Sequence, residues 1–242
     1  MAPVKEIRAV RNACALVEAL ARRQPSGVSE LSRLTGIEKS AAHRLAVTLH
    51  HAGWLDPNGD GRWKVAAGLG RLARRASTAS LAASLRSSME ALRDRTGETV
   101  MLVAIEDARL MVHEVVESPH ALRIAARVGS ELPLIRSSAA RAIAAHLPPD
   151  ELAALRRAHP ALDDDSVLAG VRRRGWAAND REIVADARVV GAPILAADGY
   201  PLAALIVCGP TSRVTRARMK RYGELVARAA DVPMRDFVPA RS

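Results

Sequence analysis

Apolar residues recur with a helical period through the first fifty positions, interrupted twice by turn residues. The period predicts a helix over 7–23 with one apolar stripe, and Pro25-Ser26-Gly27 ends it. That stripe consists of Val10, Ala13, Cys14, Val17, Leu20 and Ala21. A short second helix is predicted to begin with Ser29 as its N-cap and to end at Gly36. A third helix is predicted from about Lys39 to Ala52.

The second and third helices each have an apolar side and a polar side. Leu31 and Leu34 are predicted to face inward from the second helix, and Ala42, Leu45 and Leu49 from the third. The opposite side of the third helix has short side chains near its start and is basic, as a helix in a DNA major groove requires. That side presents Lys39, Ser40, His43, Arg44 and Val47.

A turn-rich hairpin follows the third helix. Trp54-Leu55 starts an extended segment, residues 56–61 form a dense turn signal, and Arg62-Trp63-Lys64-Val65 alternates charge with bulk as a returning strand does. Two helices, a tight turn and such a wing indicate a winged helix-turn-helix domain over residues 1–68. The predicted DNA contacts are Ser29, Lys39, Ser40, His43, Arg44, Arg62 and Lys64.

Beyond residue 68 the pattern predicts a helix over 69–81, then a Ser- and Ala-rich stretch with the domain boundary near residue 80, then a helix over 84–97. Strands and helices follow in an order typical of an α+β domain around an antiparallel sheet. The predicted strands are 99–105, 109–116, 122–128, 191–196 and 202–208. The further predicted helices are 139–147, 149–158, 166–175 and 215–230.

Positive charge is concentrated near the start of the chain. The 242 residues have a net charge of +10; residues 1–80 hold 13 Lys and Arg against 6 Asp and Glu, and residues 81–242 hold 23 against 20. Such concentration favours a polyanionic partner, through Coulomb attraction and counterion release. A coding preference for arginine is the alternative, but it would raise the charge along the whole chain. The asymmetry therefore favours nucleic acid.

Several other classes of protein are not expected. No apolar run approaches the roughly 18–20 residues of a membrane span, and the start of the chain lacks the apolar core of a secretory signal. Cys14 lies on the apolar stripe and is expected to be a core residue; Cys208 lies in another predicted domain, which argues against a disulfide and for the cytoplasm. The seven histidines show no metal-ligand spacing, and no phosphate-loop, dinucleotide or nucleophile-elbow motif is present, so neither metal nor cofactor is expected.

Three ordered sets of residues resemble the IclR family of bacterial transcription regulators. The first set is Glu30-Leu31, Gly36, Lys39-Ser40, His43-Arg44-Leu45, Leu49 and Gly53. The second set is Gly129, Leu132-Pro133-Leu134, Arg141 and Ala142. The third set is Arg173-Arg174-Gly175-Trp176, Asp180, Glu182, Ala192-Pro193, Ala203-Ala204-Leu205 and Gly209-Pro210. Together they cover nearly the whole chain in family order. Glu38 departs from the family pattern, because the family favours proline at that position.

The resemblance implies both an architecture and a function. It implies a linker helix over 69–82, often packed in a dimer interface, although a solvated basic helix is the plainer interpretation of that segment. It implies that residues 83–242 form an effector-binding and oligomerisation domain with a GAF- or profilin-like antiparallel sheet. The expected partners are double-stranded operator DNA, a small organic effector that modulates operator binding, and further copies of the chain in a homodimer or homotetramer.

The resemblance also implies where the effector binds. The implied contacts are Leu132, Ser138, Ala139, Asn179, Asp180, Ala187, Val189, Ile206 and Cys208, with Ala121 and Ile124 as additional apolar wall. Relatives that sense small acids tend to place serine at the positions of Ile206 and Cys208. The pocket here is therefore expected to be more apolar, and to take a larger, less polar or aromatic carboxylic acid. A region that packs as plain core and binds nothing is the alternative.

Two other functions compete with a regulator. An enzyme of the hydrolase or transferase class could use the C-terminal pocket while the basic domain tethers it to nucleic acid, but no nucleophile–base pattern supports catalysis. A nucleoid-type DNA binder without an effector would not need so elaborate a second domain. At the DNA, Arg44 can either read guanine through a bidentate contact or only touch phosphate, and the sequence leaves both open.

Overall fold

Three helices and a small sheet form the beginning of the fold. The computed structural model describes residues 6–231, and the side chains of all of these except 67, 71 and 73–80. The chain divides into two compact units, one up to Arg75 and another from Ala76. The first unit contains α1 (Arg8–Arg22), β1 (Ser26–Gly27), α2 (Val28–Thr35), α3 (Lys39–His51), β2 (Leu55–Pro57) and β3 (Arg62–Val65). Its antiparallel sheet has the order β1-β3-β2. These elements confirm the predicted helix-turn-helix and wing.

The core of the first unit lies between the three helices and the sheet. It is formed by Leu16, Leu20, Leu31, Ile37, Ala42, Ala46, Leu49 and Leu55. The expected placement of Cys14 in this core is wrong: Leu16 and Leu20 define the buried side of α1, and Cys14, two residues before Leu16, points to the opposite side and is exposed. Val10 and, on α2, Leu34 are also exposed rather than inward-facing.

The start of α2 also differs from the prediction. The N-cap is Gly27, not Ser29, because β1 pairs with β3 up to Gly27 and the chain enters the helix directly at Val28. Ser29 is therefore the second residue of the helix and is exposed. The predicted end is confirmed: Gly36 takes φ +68°, a left-handed conformation that glycine adopts without a Cβ penalty.

A single long helix, α4 (Ala67–Thr96), begins near the end of the first unit and continues into the second. The prediction of two separate helices over 69–81 and 84–97 is wrong. The Ser- and Ala-rich stretch between them contains neither glycine nor proline, so nothing there breaks the helical hydrogen bonds. The predicted linker segment lies within α4.

The second unit is built on a six-stranded antiparallel sheet, which confirms the predicted α+β class. Its strands are β4 (Thr99–Glu106), β5 (Arg109–Val116), β6 (Glu131–Leu132), β7 (Ala177–Asp180), β8 (Ala187–Leu195) and β9 (Pro201–Pro210). They follow the order β6-β5-β4-β9-β8-β7. The helices are α5 (Ser138–Ala144), α6 (Pro149–Ala158), α7 (Asp165–Arg174) and α8 (Arg216–Ala230).

Each face of this sheet carries a core of its own. One face packs against the later turns of α4 and against α8, and the other packs against α5, α6 and α7. The predicted strand over 122–128 is wrong: Leu122 and Val128 are largely exposed, and the Ile124 carbonyl accepts a hydrogen bond from the Thr99 hydroxyl (2.8 Å) instead of joining a strand ladder. The short β7 was not predicted, and it forms one edge of the sheet.

Candidate functional site

The exposed side of α3 presents the basic and small polar residues that the sequence predicted. Lys39, Ser40, His43 and Arg44 are all exposed, and they follow helical spacing along one side of the helix. The opposite side is anchored in the core through Ala42, Ala46 and Leu49, with Leu45 only partly buried. A rigid helix with such a surface can enter a DNA groove without rearrangement of its own core.

Glu38 places a negative charge at the start of α3. Its carboxylate caps the helix by accepting hydrogen bonds from the backbone N–H groups of Ser40 (3.0 Å) and Ala41 (3.1 Å), and the Ser40 hydroxyl also donates to it. These hydrogen bonds, the one from the Ser40 side chain first, hold the pKa of Glu38 below its usual value. The Ser40 hydroxyl must leave this partner to donate to DNA.

The wing presents two cations on the same side of β3. Arg62 and Lys64 are exposed, whereas Trp63 between them is half-buried, with its ring 5.9 Å from the His50 ring at the end of α3. Because side chains alternate along β3, Trp63 anchors the wing to α3 while Arg62 and Lys64 point to solvent. Arg62 is also 3.7 Å from the Asp60 carboxylate in the wing turn.

In the second unit, several of the predicted effector residues share one face of the sheet. Strand register places Thr99, Cys208, Val189 and Asn179 in a row across β4, β9, β8 and β7. Ile206 lies two residues from Cys208 and so on the same face, which is the face covered by α5. Ala187 and Val189 extend this face along β8, and Ala139 is buried on α5.

Ser138, the first residue of α5, lies against this row. A Cβ at Gly191 would be 3.4 Å from the Ser138 Oγ and 2.8 Å from a methyl group of Ile206, so only glycine lets the helix approach the sheet this closely. Ser138 is 1% exposed, and its Oγ has no hydrogen-bond partner within residues 6–231. A buried hydroxyl without a partner carries a desolvation cost that a ligand could offset.

The three polar side chains of the row are all engaged within the protein, Thr99 through its hydrogen bond to the Ile124 carbonyl. Asn179 donates to the Arg136 carbonyl (2.8 Å) and accepts from the Glu182 backbone N–H (3.3 Å), and thereby holds two loops together. The Cys208 thiol donates weakly to the Thr99 carbonyl (3.5 Å), and burial raises its pKa to about 12. Cys208 is thus a neutral, poorly nucleophilic thiol near neutral pH.

Asp180 does not belong to this group, contrary to the prediction. It follows Asn179 on β7 and therefore points to the opposite face, where Arg188 and Arg216 each approach its carboxylate at 2.6 Å. Hydrogen bonds from these two arginines hold the pKa of Asp180 low. Ala121 is exposed in a loop, whereas Ile124 and Leu132 are partly buried against the α5 side of the sheet.

A buried ion cluster centred on α5 was not predicted from the sequence. Arg141 on α5 donates to both Glu182 oxygens (2.7 Å each), to Asp163 (2.8 Å) and to the Ala178 carbonyl (2.7 Å). The hydrogen bonds to the carboxylates raise the pKa of Arg141, the one to Glu182 most, and lower that of Glu182. Arg141 is the only charged residue of the alanine-rich helix α5. This isolated charge is the feature of the sequence that could have indicated a buried partner.

Two family models cover the chain with its two units in the same order. The IclR helix-turn-helix domain matches residues 9–59, and the C-terminal domain of the bacterial transcriptional regulator IclR matches residues 73–235. The chain belongs to the IclR family of transcriptional regulators. The IclR architecture thus accounts for both the wing-bearing unit and the six-stranded sheet, and the resemblance read from the sequence is confirmed.

Relatives that match most of this chain are named transcriptional repressors. The acetate operon repressor of Salmonella typhimurium is 30% identical, with 95% of this chain and 90% of that protein covered. The transcriptional repressor IclR of Escherichia coli is 28% identical, with 93% and 88% covered. An IclR-family structure from Rhodococcus sp. superposes with a TM-score of 0.67 at 23% identity, covering 99% of this chain and 97% of that one. This last likeness concerns the fold alone.

Within residues 6–231, no group of three or more His, Cys, Asp and Glu side chains is arranged to hold a metal ion. No helix in the same part of the chain is both long enough and apolar enough to cross a membrane.

Proposed function

We propose that this IclR-family regulator binds operator DNA through α3 and the wing, and that a small, relatively apolar organic acid bound beside α5 modulates that binding. The proposed place of action is the cytoplasm. The proposed assembly is a homodimer or homotetramer, because two copies of the DNA-binding unit related by a two-fold axis match the half-sites of a palindromic operator. The observation that carries the effector half is the buried Ser138 hydroxyl, which has no hydrogen-bond partner within residues 6–231 and lies with Ile206 beside Gly191.

The DNA contacts follow from exposure and charge. Lys39, His43 and Arg44 occupy the exposed side of α3, Arg62 and Lys64 the outer side of the wing, and Ser29 the start of α2. Arg44 is proposed to read a base, because its guanidinium is exposed on the helix side that enters the groove. A bidentate guanine contact is worth about 1–3 kcal/mol, or about 5- to 150-fold in affinity.

The DNA half is tested with the Arg44→Ala variant. An operator is first selected from randomised duplexes with the full-length protein, and affinity is then measured by fluorescence anisotropy for this duplex and for an unrelated one. Arg44→Ala should weaken operator binding within the range above and leave the unrelated duplex much less affected. Arg95→Ala, an exposed arginine on α4, is the control. An equal loss on both duplexes would show that Arg44 only touches phosphate.

The effector is proposed to be larger or less polar than a two-carbon acid. Val189, Ile206 and Cys208 line the sheet side with apolar groups, and Ser138 supplies a hydroxyl donor for the acid. The Asn179 amide is held by Arg136 and Glu182, so it contributes more to loop position than to ligand binding.

Thermal-shift measurements with matched acids test this proposal. Benzoate, phenylacetate and hexanoate should raise Tm more than glyoxylate and pyruvate do, because a ligand at about 100 times its Kd adds about 2.7 kcal/mol to the free energy of unfolding. Ile206→Ser should shift the preference toward the small acids, and Val184→Ser, on an exposed loop, should not. Stabilisation by glyoxylate or pyruvate alone would contradict the apolar pocket.

Catalysis is not part of the proposal. The Cys208 thiol is kept protonated by burial, and no base contacts the Ser138 hydroxyl among the residues that the structure describes.

A further inference from the structure

A cleft of about 450 Å³ lies on the first unit, and no residue of α3 lines it. It is lined by Arg23 and Pro25 after α1, by Ser29, Glu30 and Arg33 on α2, and by Arg62 on β3. Three guanidinium groups thus face one carboxylate. We infer that this cleft binds a phosphodiester of the DNA backbone, with Arg23 and Arg33 as contacts outside α3 and the wing. The inference rests on the proposed DNA binding.

The local fold brings these arginines together. The pairing of β1 with β3 places Gly27 opposite Arg62, and so sets the wing strand beside the first turn of α2. The Gln24 side-chain oxygen accepts from the Val65 N–H (2.8 Å) and ties the connection between α1 and α2 to the same strand. The sheet register therefore fixes Arg62 beside the segment that joins α1 to α2.

Two of the three arginines are held in place, and the third is available. Arg23 pairs with Glu30 (3.1 Å), and Arg62 approaches the Pro25 carbonyl (3.4 Å). Arg33 is exposed and makes no ion pair or hydrogen bond within residues 6–231. A guanidinium matches two phosphate oxygens at once, so Arg33 can complete its hydrogen bonding only with an added anion or with water.

The occupant that fits is a polyanion rather than a free phosphate. The cleft is open to solvent, and the Arg23 side chain is 70% exposed, so one small anion would remain largely hydrated. A DNA backbone supplies several phosphates to the same small unit, whose α3 and wing present further cations, and the release of counterions from each contact adds to the affinity.

Salt dependence of DNA binding tests the inference with the full chain. For Arg33→Ala, the slope of log K against log salt should fall by about 1, on the operator and on an unrelated duplex alike, because each neutralised phosphate contributes about 0.9. Between about 50 and 200 mM salt, the ratio of wild-type to variant affinity should fall about 3.5-fold. Arg33→Lys should keep the slope because it keeps the charge, and Arg221→Ala, an exposed arginine on α8, should not change it.

Each other outcome has a definite meaning. Equal slopes for wild type and Arg33→Ala would overturn the cleft contact while leaving binding through α3 intact. Stabilisation of wild type, but not of Arg33→Ala, by millimolar inorganic phosphate, together with equal DNA slopes, would make the cleft a small-anion site and overturn the backbone contact. Wild-type protein that binds neither duplex in a salt-dependent way would overturn both this inference and the proposed DNA binding.

Discussion

Replacement of Arg141 by methionine should destabilise the second unit in a pH-dependent way. The substitution keeps an unbranched, flexible side chain in place of the arginine stem but leaves Asp163 and Glu182 without their shared cation. The Arg141 and Asp163 side chains are 10% and 12% exposed, and Glu182 is 32% exposed. Removing one partner of a buried ion pair costs about 3–5 kcal/mol, and the partial exposure of Glu182 favours the lower end, about 3 kcal/mol. That corresponds to about 6–12 °C in Tm for a unit of this size.

The pH dependence follows from the pKa of Glu182. Because Arg141 lowers the pKa of Glu182 in the folded protein, the stabilisation it gives is present above the unfolded value of 4.5 and is lost as the pH falls through the lower folded value. In Arg141→Met, the Glu182 carboxylate loses the cation that compensates it, and protonation of Glu182 at lower pH removes the uncompensated charge. The loss of stability should therefore be largest near about pH 7 and shrink toward about pH 4.

The assay is thermal and urea unfolding followed by tryptophan fluorescence. Trp176 is the only tryptophan after residue 75, so a Trp54→Phe/Trp63→Phe background reports on the second unit alone. Arg109→Met is the control, because Arg109 and its partner Glu131 are 57% and 51% exposed and such pairs contribute at most about 1 kcal/mol. Equal losses of stability for Arg141→Met and Arg109→Met would refute the role of Arg141 as the shared cation of Asp163 and Glu182. A loss for Arg141→Met that is the same near about pH 7 and about pH 4 would refute it as well.

Three further predictions concern single positions. Gly223→Ala should cost about 1–3 kcal/mol in thermal unfolding, because a Cβ there would lie 2.2 Å from a tryptophan ring atom, whereas Gly170→Ala, with nothing nearer than 3.8 Å, should be neutral or stabilising. Ellman's reagent should titrate one thiol per native chain near pH 8, the exposed Cys14, and two thiols after denaturation. Burial keeps Cys208 protonated and inaccessible in the native chain, so two rapidly reacting thiols before denaturation would contradict this prediction. Glu38→Gln should tighten binding to unrelated duplex DNA, most at low salt, since it removes a negative charge at the start of α3; unchanged anisotropy titrations would argue that α3 does not approach the backbone.

Local signals explain why the first unit was largely predictable. The turn at Gly36 and the hairpin before Arg62 are each specified by a few neighbouring residues. The error at Cys14 arose because a loosely apolar stripe can be assigned about 100° away from the true buried side, which only Leu16 and Leu20 define.

Non-local pairing explains what the sequence could not reveal in the second unit. The short β7 exists only because β8 pairs with it, and its alternation separates Asn179 from Asp180 although the two are adjacent in the chain. The partners of Arg141 lie 22 and 41 residues away, and no periodic pattern connects them. The family resemblance implied which positions belong to the proposed pocket, but not the face of the sheet to which each side chain points.

The central position of β9 has a consequence for how such regulators can diversify. Residues 203–210 are all buried, and they alternate between two separate cores: Ile206 and Cys208 face α5, whereas Leu205 and Val207 face α8. Single codon changes at the first pair would alter what the proposed pocket accepts and leave the α8 packing in place. A lineage can therefore change the ligand preference of the proposed pocket along one strand without first acquiring compensating mutations in the other core.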